Sequence, residues 1–229
     1  MSETGHRPIR SFVMRAGRMT SGQERALTEL WPRYGVEFSP APLSLDAVFG
    51  RQAPHTLEIG FGNGEHLAAL AAAHPQRDYF GVEVHRPGVG HLLMLAATNN
   101  LTNLRASSHD AVEVLRDQIA PRALDEVLVL FPDPWHKKRH HKRRLIQPPF
   151  VELIASRLAT GGVLRLATDW EEYALQMLEV VSASPQFTNL SPTGDWMPRP
   201  EERAPTRFEK RGARLGHGVW DLAFRRLTS

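Results

Sequence analysis

Between residues 56 and 181 the chain repeats one pattern: a short apolar run of strand length, then a segment with helical spacing. The runs at 56–60, 79–84, 104–107, 125–131 and 163–168 are the strand candidates. The segments 65–73, 90–97, 111–119, 150–158 and 171–181 are the helix candidates. Few architectures accommodate such an alternation, because parallel neighbours need a crossover long enough to hold a helix. The prediction is an α/β fold with a mostly parallel, doubly wound sheet. The run Asp125-Glu-Val-Leu-Val-Leu-Phe131 is almost wholly apolar after its first two residues, as befits a strand buried on both faces. A last strand is expected over 218–227.

The remainder is punctuated differently. Residues 1–22 carry Arg7, Arg10, Arg15 and Arg18 among Gly, Ser and Thr, and read as a flexible basic arm ahead of a single domain spanning 23–229. Helical spacing over 23–31 is expected to stop at Pro32. Residues 38–54 hold Pro40, Pro42 and Pro54 and read as loop. The stretch 184–205 contains Pro185, Pro192, Pro198, Pro200 and Pro205 and is expected to be a long irregular connection, a kind that often carries function. With 229 residues, 41% of them hydrophobic, the chain is long enough to build a large core. No apolar run reaches membrane-spanning length, and residues 1–12 lack the apolar centre of a secretion signal. A soluble, cytoplasmic protein is expected. With no cysteine, disulfides, thiolate-bound metal and a thiol nucleophile are all excluded.

The charge is unevenly placed. Of 28 Lys and Arg, six fall in His136-Lys-Lys-Arg-His-His-Lys-Arg-Arg144, which has three His and no acid. Elsewhere 22 bases face 25 acids. A block of like charge repels itself, so its functional reading is neutralisation of nucleic-acid phosphates; the plain alternative is a solvated face. A metal site at His136, His140 and His141 is disfavoured by the surrounding cations.

Gly60-Phe61-Gly62-Asn63-Gly64 follows a strand and opens a helix, so backbone can approach a ligand closely there. Glu65 stands where the dinucleotide fingerprint wants glycine, and no triphosphate loop is present. Glu83 closes the second strand, placed to accept from ribose hydroxyls. Asp110 follows the third strand and either reads an adenine amino group or caps a helix. Glu58, inside the first strand, wants a cation or donors. A ligand with ribose, adenine and ammonium but no pyrophosphate fits this set, and S-adenosylmethionine (AdoMet) is such a ligand. Pro132-Asp133-Pro134-Trp135 ends the most hydrophobic strand; its prolines stiffen the turn and fix where Asp133 points, and the basic block begins at the next residue.

These segments resemble the bacterial tRNA (guanine-N7)-methyltransferases, the TrmB family. The residues carrying the resemblance are Arg15-Ala-Gly-Arg18, Leu57-Glu-Ile-Gly-Phe-Gly-Asn-Gly64, Gly81-Val-Glu-Val-His85, Phe131 through Arg144, Thr168-Asp-Trp-Glu-Glu-Tyr173 and Thr206-Arg-Phe-Glu-Lys-Arg-Gly212. The resemblance implies a class I AdoMet-dependent methyltransferase fold, Rossmann-like, with an antiparallel last strand. It implies AdoMet as methyl donor and N7 of the variable-loop guanine at position 46 of tRNA as acceptor. It places AdoMet against Glu58, Gly60, Gly62, Gly64, Glu83, Asp110 and Asp133, with Asp133 also catalytic. It places substrate against Lys137, Asp169, Thr206, Arg207, Phe208 and Glu209. RNA would lie on Arg139, His140, His141, Lys142, Arg143 and Arg144. No metal, membrane or obligatory protein partner is implied.

Asp169 is the right kind of group to accept from the guanine N1–H and amino group; its plainer role is a helix cap. Competing readings are another RNA or small-molecule methyltransferase, a non-catalytic RNA-binding protein, and a metal-dependent nuclease. Cytosine-C5 chemistry is excluded by the missing thiol.

Overall fold

The computed structural model describes residues 11–12, 18–201, 203 and 218–228. Thr20 starts α1 (Ser21–Glu29) through a capping box with Gln23. After Leu30, α2 (Trp31–Tyr34) begins with Pro32 in its first turn, where the missing N–H is no loss. So Pro32 opens a helical turn rather than closing one. The segment expected to be loop contains α3 (Leu45–Phe49), capped by the Ser44 hydroxyl.

The alternation then proceeds as β1 (His55–Ile59), α4 (Glu65–Ala73), β2 (Asp78–Val82), α5 (Arg86–Thr98), β3 (Leu104–Ser107) and α6 (Ala111–Glu113). A π turn at Val114–Gln118 extends α6 in place of the regular helix expected there. It is followed by β4 (Leu124–Leu130), a 3-10 turn at Lys138–Arg143, α7 (Pro148–Arg157), β5 (Leu158–Thr168) and α8 (Glu171–Ser182). Within the stretch expected to be irregular lies the short β6 (Phe187–Asn189), and β7 (Trp220–Arg226) follows. β6 exists because β7 gives it a partner, with Phe187 opposite Arg226; three residues between prolines carry no strand signal of their own.

The sheet order is β3-β2-β1-β4-β5-β7-β6. β1 through β5 run parallel, and β7 pairs antiparallel with both β5 and β6. This is the doubly wound sheet that the alternation predicts, with the antiparallel last strand that the resemblance implies. Two cores flank the sheet, and alternate residues of β2 feed both. Phe80, Val82, Val127, Val129, Leu164 and Leu166 pack with α7 and α8 residues such as Phe150, Ile154, Tyr173 and Met177. Tyr79 and Ala106 pack on the opposite face with Leu67, Val89, Leu92 and Tyr34. Gly81 belongs to that second face, where an added Cβ would lie 2.6 Å from Leu67 and Phe61. The chain leaves β1 toward β2 and returns to β1's other side as β4, so the loops after these strands diverge. Such a switch point opens a crevice at the strand carboxyl ends.

Candidate active site

The loop after β1 forms one wall of the crevice. Gly60, Gly62 and Gly64 lie at φ 73°, 60° and 76°, a region that costs a residue with a Cβ about 1–2 kcal/mol. On the side where a Cβ would project, Gly60 and Gly62 have nothing within 4 Å. The loop is therefore an open cradle of bare backbone. Glu83 ties it down: its carboxylate accepts from the Gly62 N–H and the His85 N–H, both at 2.9 Å. Each oxygen keeps acceptor capacity for a further donor. A residue that sequence reasoning missed supports this loop from behind. A Cβ on Gly88 would lie 2.0 Å from the Gly62 carbonyl oxygen, so only glycine lets α5 come this close. The Pro87-Gly88 pair at the helix start was the available signal.

The acids sit in different surroundings. Asp110 accepts from the Val112 N–H at 2.9 Å, so it does cap α6, and its second oxygen has no part in that cap. Glu58 is buried in the middle of the sheet, and its carboxylate lies 3.1 Å from His66 Nδ1; the structure thus supplies a partner from within the fold. Asp133 is exposed at the corner, with its carboxylate accepting from the Trp135 N–H at 3.1 Å. Asp169 does not cap α8: the N-cap is Trp170, with no side-chain cap, and Trp170 N–H donates to the Thr168 hydroxyl instead. The helix-cap alternative for Asp169 therefore falls away.

The corner after β4 has an unusual backbone. Phe131 and Trp135, neither of them glycine, lie at φ 54° and 48°. Bulky residues persist there only when their surroundings hold them. Trp135 is 9% exposed, donates from its indole N–H to the Ser11 carbonyl, and carries the Arg143 guanidinium 4.0 Å above its ring. His140 meets the same indole edge-on. His136 meets Trp170 edge-on at 4.3 Å, which joins the start of the basic block to the end of β5. Phe131 lies under Arg203, whose buried guanidinium pairs with Asp221 at the start of β7.

The basic block is thus a compact turn folded over Trp135. Lys137, Lys138, Arg139 and Lys142 are exposed; His140, His141 and Arg143 are half-buried. Partial desolvation, followed by the neighbouring cations of Arg139, Arg143, Lys137 and Lys142, holds the His140 imidazole below its ordinary pKa. Arg144 is placed differently from its neighbours in the block. It is buried and its guanidinium faces inward, donating to the Pro134 carbonyl and to Gln176. Little of it reaches the surface, where it forms part of the wall of a cleft beside Lys142 and Arg143.

A cleft of 320 Å³ between α6, α7 and the basic turn is lined by Asp110, Lys142, Arg143 and Phe150 among others, so it links one of the expected cofactor acids to the turn. A larger cavity of 480 Å³ lies along the sheet face between α4 and the 197–203 segment, and none of the expected site residues lines it. Among the described residues no group of three His, Asp or Glu is arranged to hold a metal ion. Thr206, Arg207, Phe208, Glu209 and Arg15 lie outside the described residues.

A cationic ligand with ribose and adenine fits this crevice on chemical grounds. Glu83 supplies acceptors and negative charge at a cradle of open glycine backbone, and Asp110 and Asp133 follow the carboxyl ends of strands in the same sheet.

The family model described as "Putative methyltransferase" matches residues 52–222. The chain is 58% identical over 221 residues to a tRNA (guanine-N(7)-)-methyltransferase of Stutzerimonas stutzeri, covering 96% of this chain and 93% of the relative. It is 59% identical over 226 residues to the protein of that name from Thiobacillus denitrificans, covering 98% and 99%. Among solved structures it resembles a 16S rRNA methyltransferase, KamB, with a TM-score of 0.58 at 16% identity over 94% of this chain and 97% of that one. An rRNA methylase from Streptococcus thermophilus aligns with a TM-score of 0.53 at 13% identity, over 77% and 88%. At such identities these two structures speak for the fold alone.

Proposed function

This chain belongs to the family of tRNA (guanine-N7)-methyltransferases, and on that premise we propose that it methylates N7 of the variable-loop guanine at position 46 of tRNA. The observation that carries the reading is the meeting of two surfaces at one corner. The glycine cradle follows β1 and the Asp133 corner follows β4, its neighbour in the sheet, and two residues after Asp133 comes Trp135, which carries the basic turn.

AdoMet, when bound, supplies a methyl group on a cationic sulfur. N7 of guanine carries a lone pair and no proton, so no strong general base is required. The chain's own work is to hold the base in line and to compensate charge as it moves onto the ring. In this reading Glu83 and Asp110 engage the ribose and adenine side, Glu58 stands behind the glycine loop on His66, and Gly60, Gly62 and Gly64 give close backbone approach. Asp133 faces the reacting groups. Lys137 and Asp169 flank the Trp170–His136 contact and hold the guanine, a task shared with Thr206, Arg207, Phe208 and Glu209. Arg139, His140, His141, Lys142 and Arg143 neutralise phosphates. We place the protein in the cytoplasm with its tRNA substrate; no described helix is long and apolar enough to cross a membrane.

The test is incubation of the full chain with unmodified tRNA and AdoMet, followed by nucleoside mass spectrometry and sequence mapping. A 7-methylguanosine peak at position 46 is expected. Methylation of another atom or another position would overturn the assignment.

A further inference from the structure

We infer that Arg144 is a positioning residue that couples the RNA-facing turn to the catalytic corner and does not itself contact phosphate; the inference rests on the tRNA-methylating reading above. In the sequence it is simply the last base of the block. In the fold its side chain is 2% exposed. The guanidinium reaches three separate parts of the molecule. Nε donates to the Pro134 carbonyl at 2.8 Å, in the corner itself. Nη1 donates to Gln176 Oε1 at 2.5 Å on α8. Nη2 lies 3.1 Å from His141 Nε2 in the basic turn and 3.4 Å from Glu172 Oε1 on α8. The guanidinium carbon also stands 4.9 Å from the centre of the Tyr173 ring. That ring is fully buried and its hydroxyl, which accepts from the Ile146 N–H, is pushed upward in pKa by burial, so it presents a neutral aromatic face to the cation.

A guanidinium is a rigid planar fork of five donors. Buried, it must keep its partners, because an uncompensated charge inside a protein is costly. Corner, turn and helix are therefore held in one mutual arrangement. Pro134 is the neighbour of Asp133, and Asp133 is itself pinned to the Trp135 N–H. The single peptide that joins Pro134 to Trp135 is thus held at both its polar groups, the carbonyl by Arg144 and the N–H by Asp133. Where the basic turn settles on RNA, Arg144 carries that position to Asp133.

The experiment compares Arg144→Gln, Arg144→Lys, Gln176→Ala and Lys142→Gln in the full chain. It measures kcat with saturating AdoMet and the slope of log Kd for tRNA against log salt. Removing a phosphate contact lowers that slope by about 1, and Lys142→Gln is expected to do so. Arg144→Gln is expected to leave the slope unchanged while kcat falls by about 10- to 100-fold, the scale of a small misplacement of reacting groups. Arg144→Lys keeps the charge but not the fork, and is expected not to restore kcat. Gln176→Ala, on α8 and outside the basic block, is expected to lower kcat several-fold with the slope intact; it decides the matter should Arg144→Gln not fold. A slope lowered by Arg144→Gln as far as by Lys142→Gln would overturn the inference, as would wild-type kcat in Arg144→Lys or in Gln176→Ala. Absence of 7-methylguanosine with the wild-type chain would instead remove the functional reading beneath it.

Discussion

The turn after β1 and the turn after β4 frame the same crevice and meet the same backbone demand with opposite residues. The first uses Gly60, Gly62 and Gly64 at positive φ. The second puts Phe131 and Trp135 there. Glycine occupies that region with no steric penalty. For Phe and Trp the cost is on the order of 1–3 kcal/mol each, offset by contacts made far along the chain. These are Ser11 and Arg143 on Trp135, and Arg203 above Phe131. The glycine turn therefore meets its dihedral demand from its own residues and presents open backbone. The second is a tertiary structure, shaped by whatever lies on it, and it is the turn attached to the basic block.

Breaking the second turn at its chemical group should have the largest effect. Asp133→Ala is expected to lower kcat by about 10²- to 10³-fold, the usual loss when one preorganised electrostatic group is removed, with tRNA affinity little changed. Single-turnover methylation at near the wild-type rate would deny Asp133 its role. The first turn is best broken from behind. Gly88→Val drives side-chain atoms into the Gly62 carbonyl, and calorimetry should find AdoMet bound at least about 10-fold more weakly, equivalent to roughly 1.4 kcal/mol. Unaltered AdoMet affinity would mean the loop does not depend on α5.

Two smaller tests sharpen the contrast. Gly62→Ala introduces a Cβ at φ 60° where nothing crowds it. Its cost should be conformational only, about 1–2 kcal/mol by denaturant unfolding; no measurable cost would show that the loop relaxes freely. Trp135→Phe keeps a ring under Arg143 but removes the bond to the Ser11 carbonyl, with an expected loss of about 0.5–1.5 kcal/mol.

The smallest effect concerns pH. The folded imidazole of His140 is held below its ordinary pKa, so between that lowered value and the ordinary one the unfolded chain binds more protons. Stability then rises with pH through that window and declines as pH falls across it. By NMR, His140 should titrate below free imidazole, and Arg143→Gln should move it upward. A titration at the ordinary position would show that the cations around it exert little influence.

Much of this arrangement could be read before any coordinates. Glu65–Ala73 and Leu104–Ser107 lie where spacing and composition place them, because their patterns are local. Other elements were hidden for definite reasons. β5 begins at Leu158 rather than Val163 because Leu158 pairs with Leu124 ahead of an irregularity in the ladder. The π turn after Asp110 closes on contacts that its own residues do not announce: Arg157, from α7, donates to the Leu115 and Arg116 carbonyls. At the site, the glycine cradle and the Glu83 position were legible, since a motif and its spacing are properties of the chain. That Glu58 pairs with His66 follows from how α4 folds back on β1, and that Arg203 and Asp221 meet above Phe131 follows from the placing of β7 in the sheet.

The amino-acid order by itself determined a doubly wound parallel sheet, a backbone-lined crevice after its first strand, and one concentrated patch of positive charge beside it. Those depend on periodicity, on the absence of side chains at glycine, and on net charge, all of which are readable in one dimension. Tertiary structure alone decided that two aromatic residues would hold a left-handed backbone, and that the ninth residue of the basic block would turn inward while most of its neighbours face solvent. Both outcomes require partners brought from elsewhere in the chain to compensate a strained dihedral or a desolvated charge, and such partners acquire their positions only when the sheet and its helices close around them.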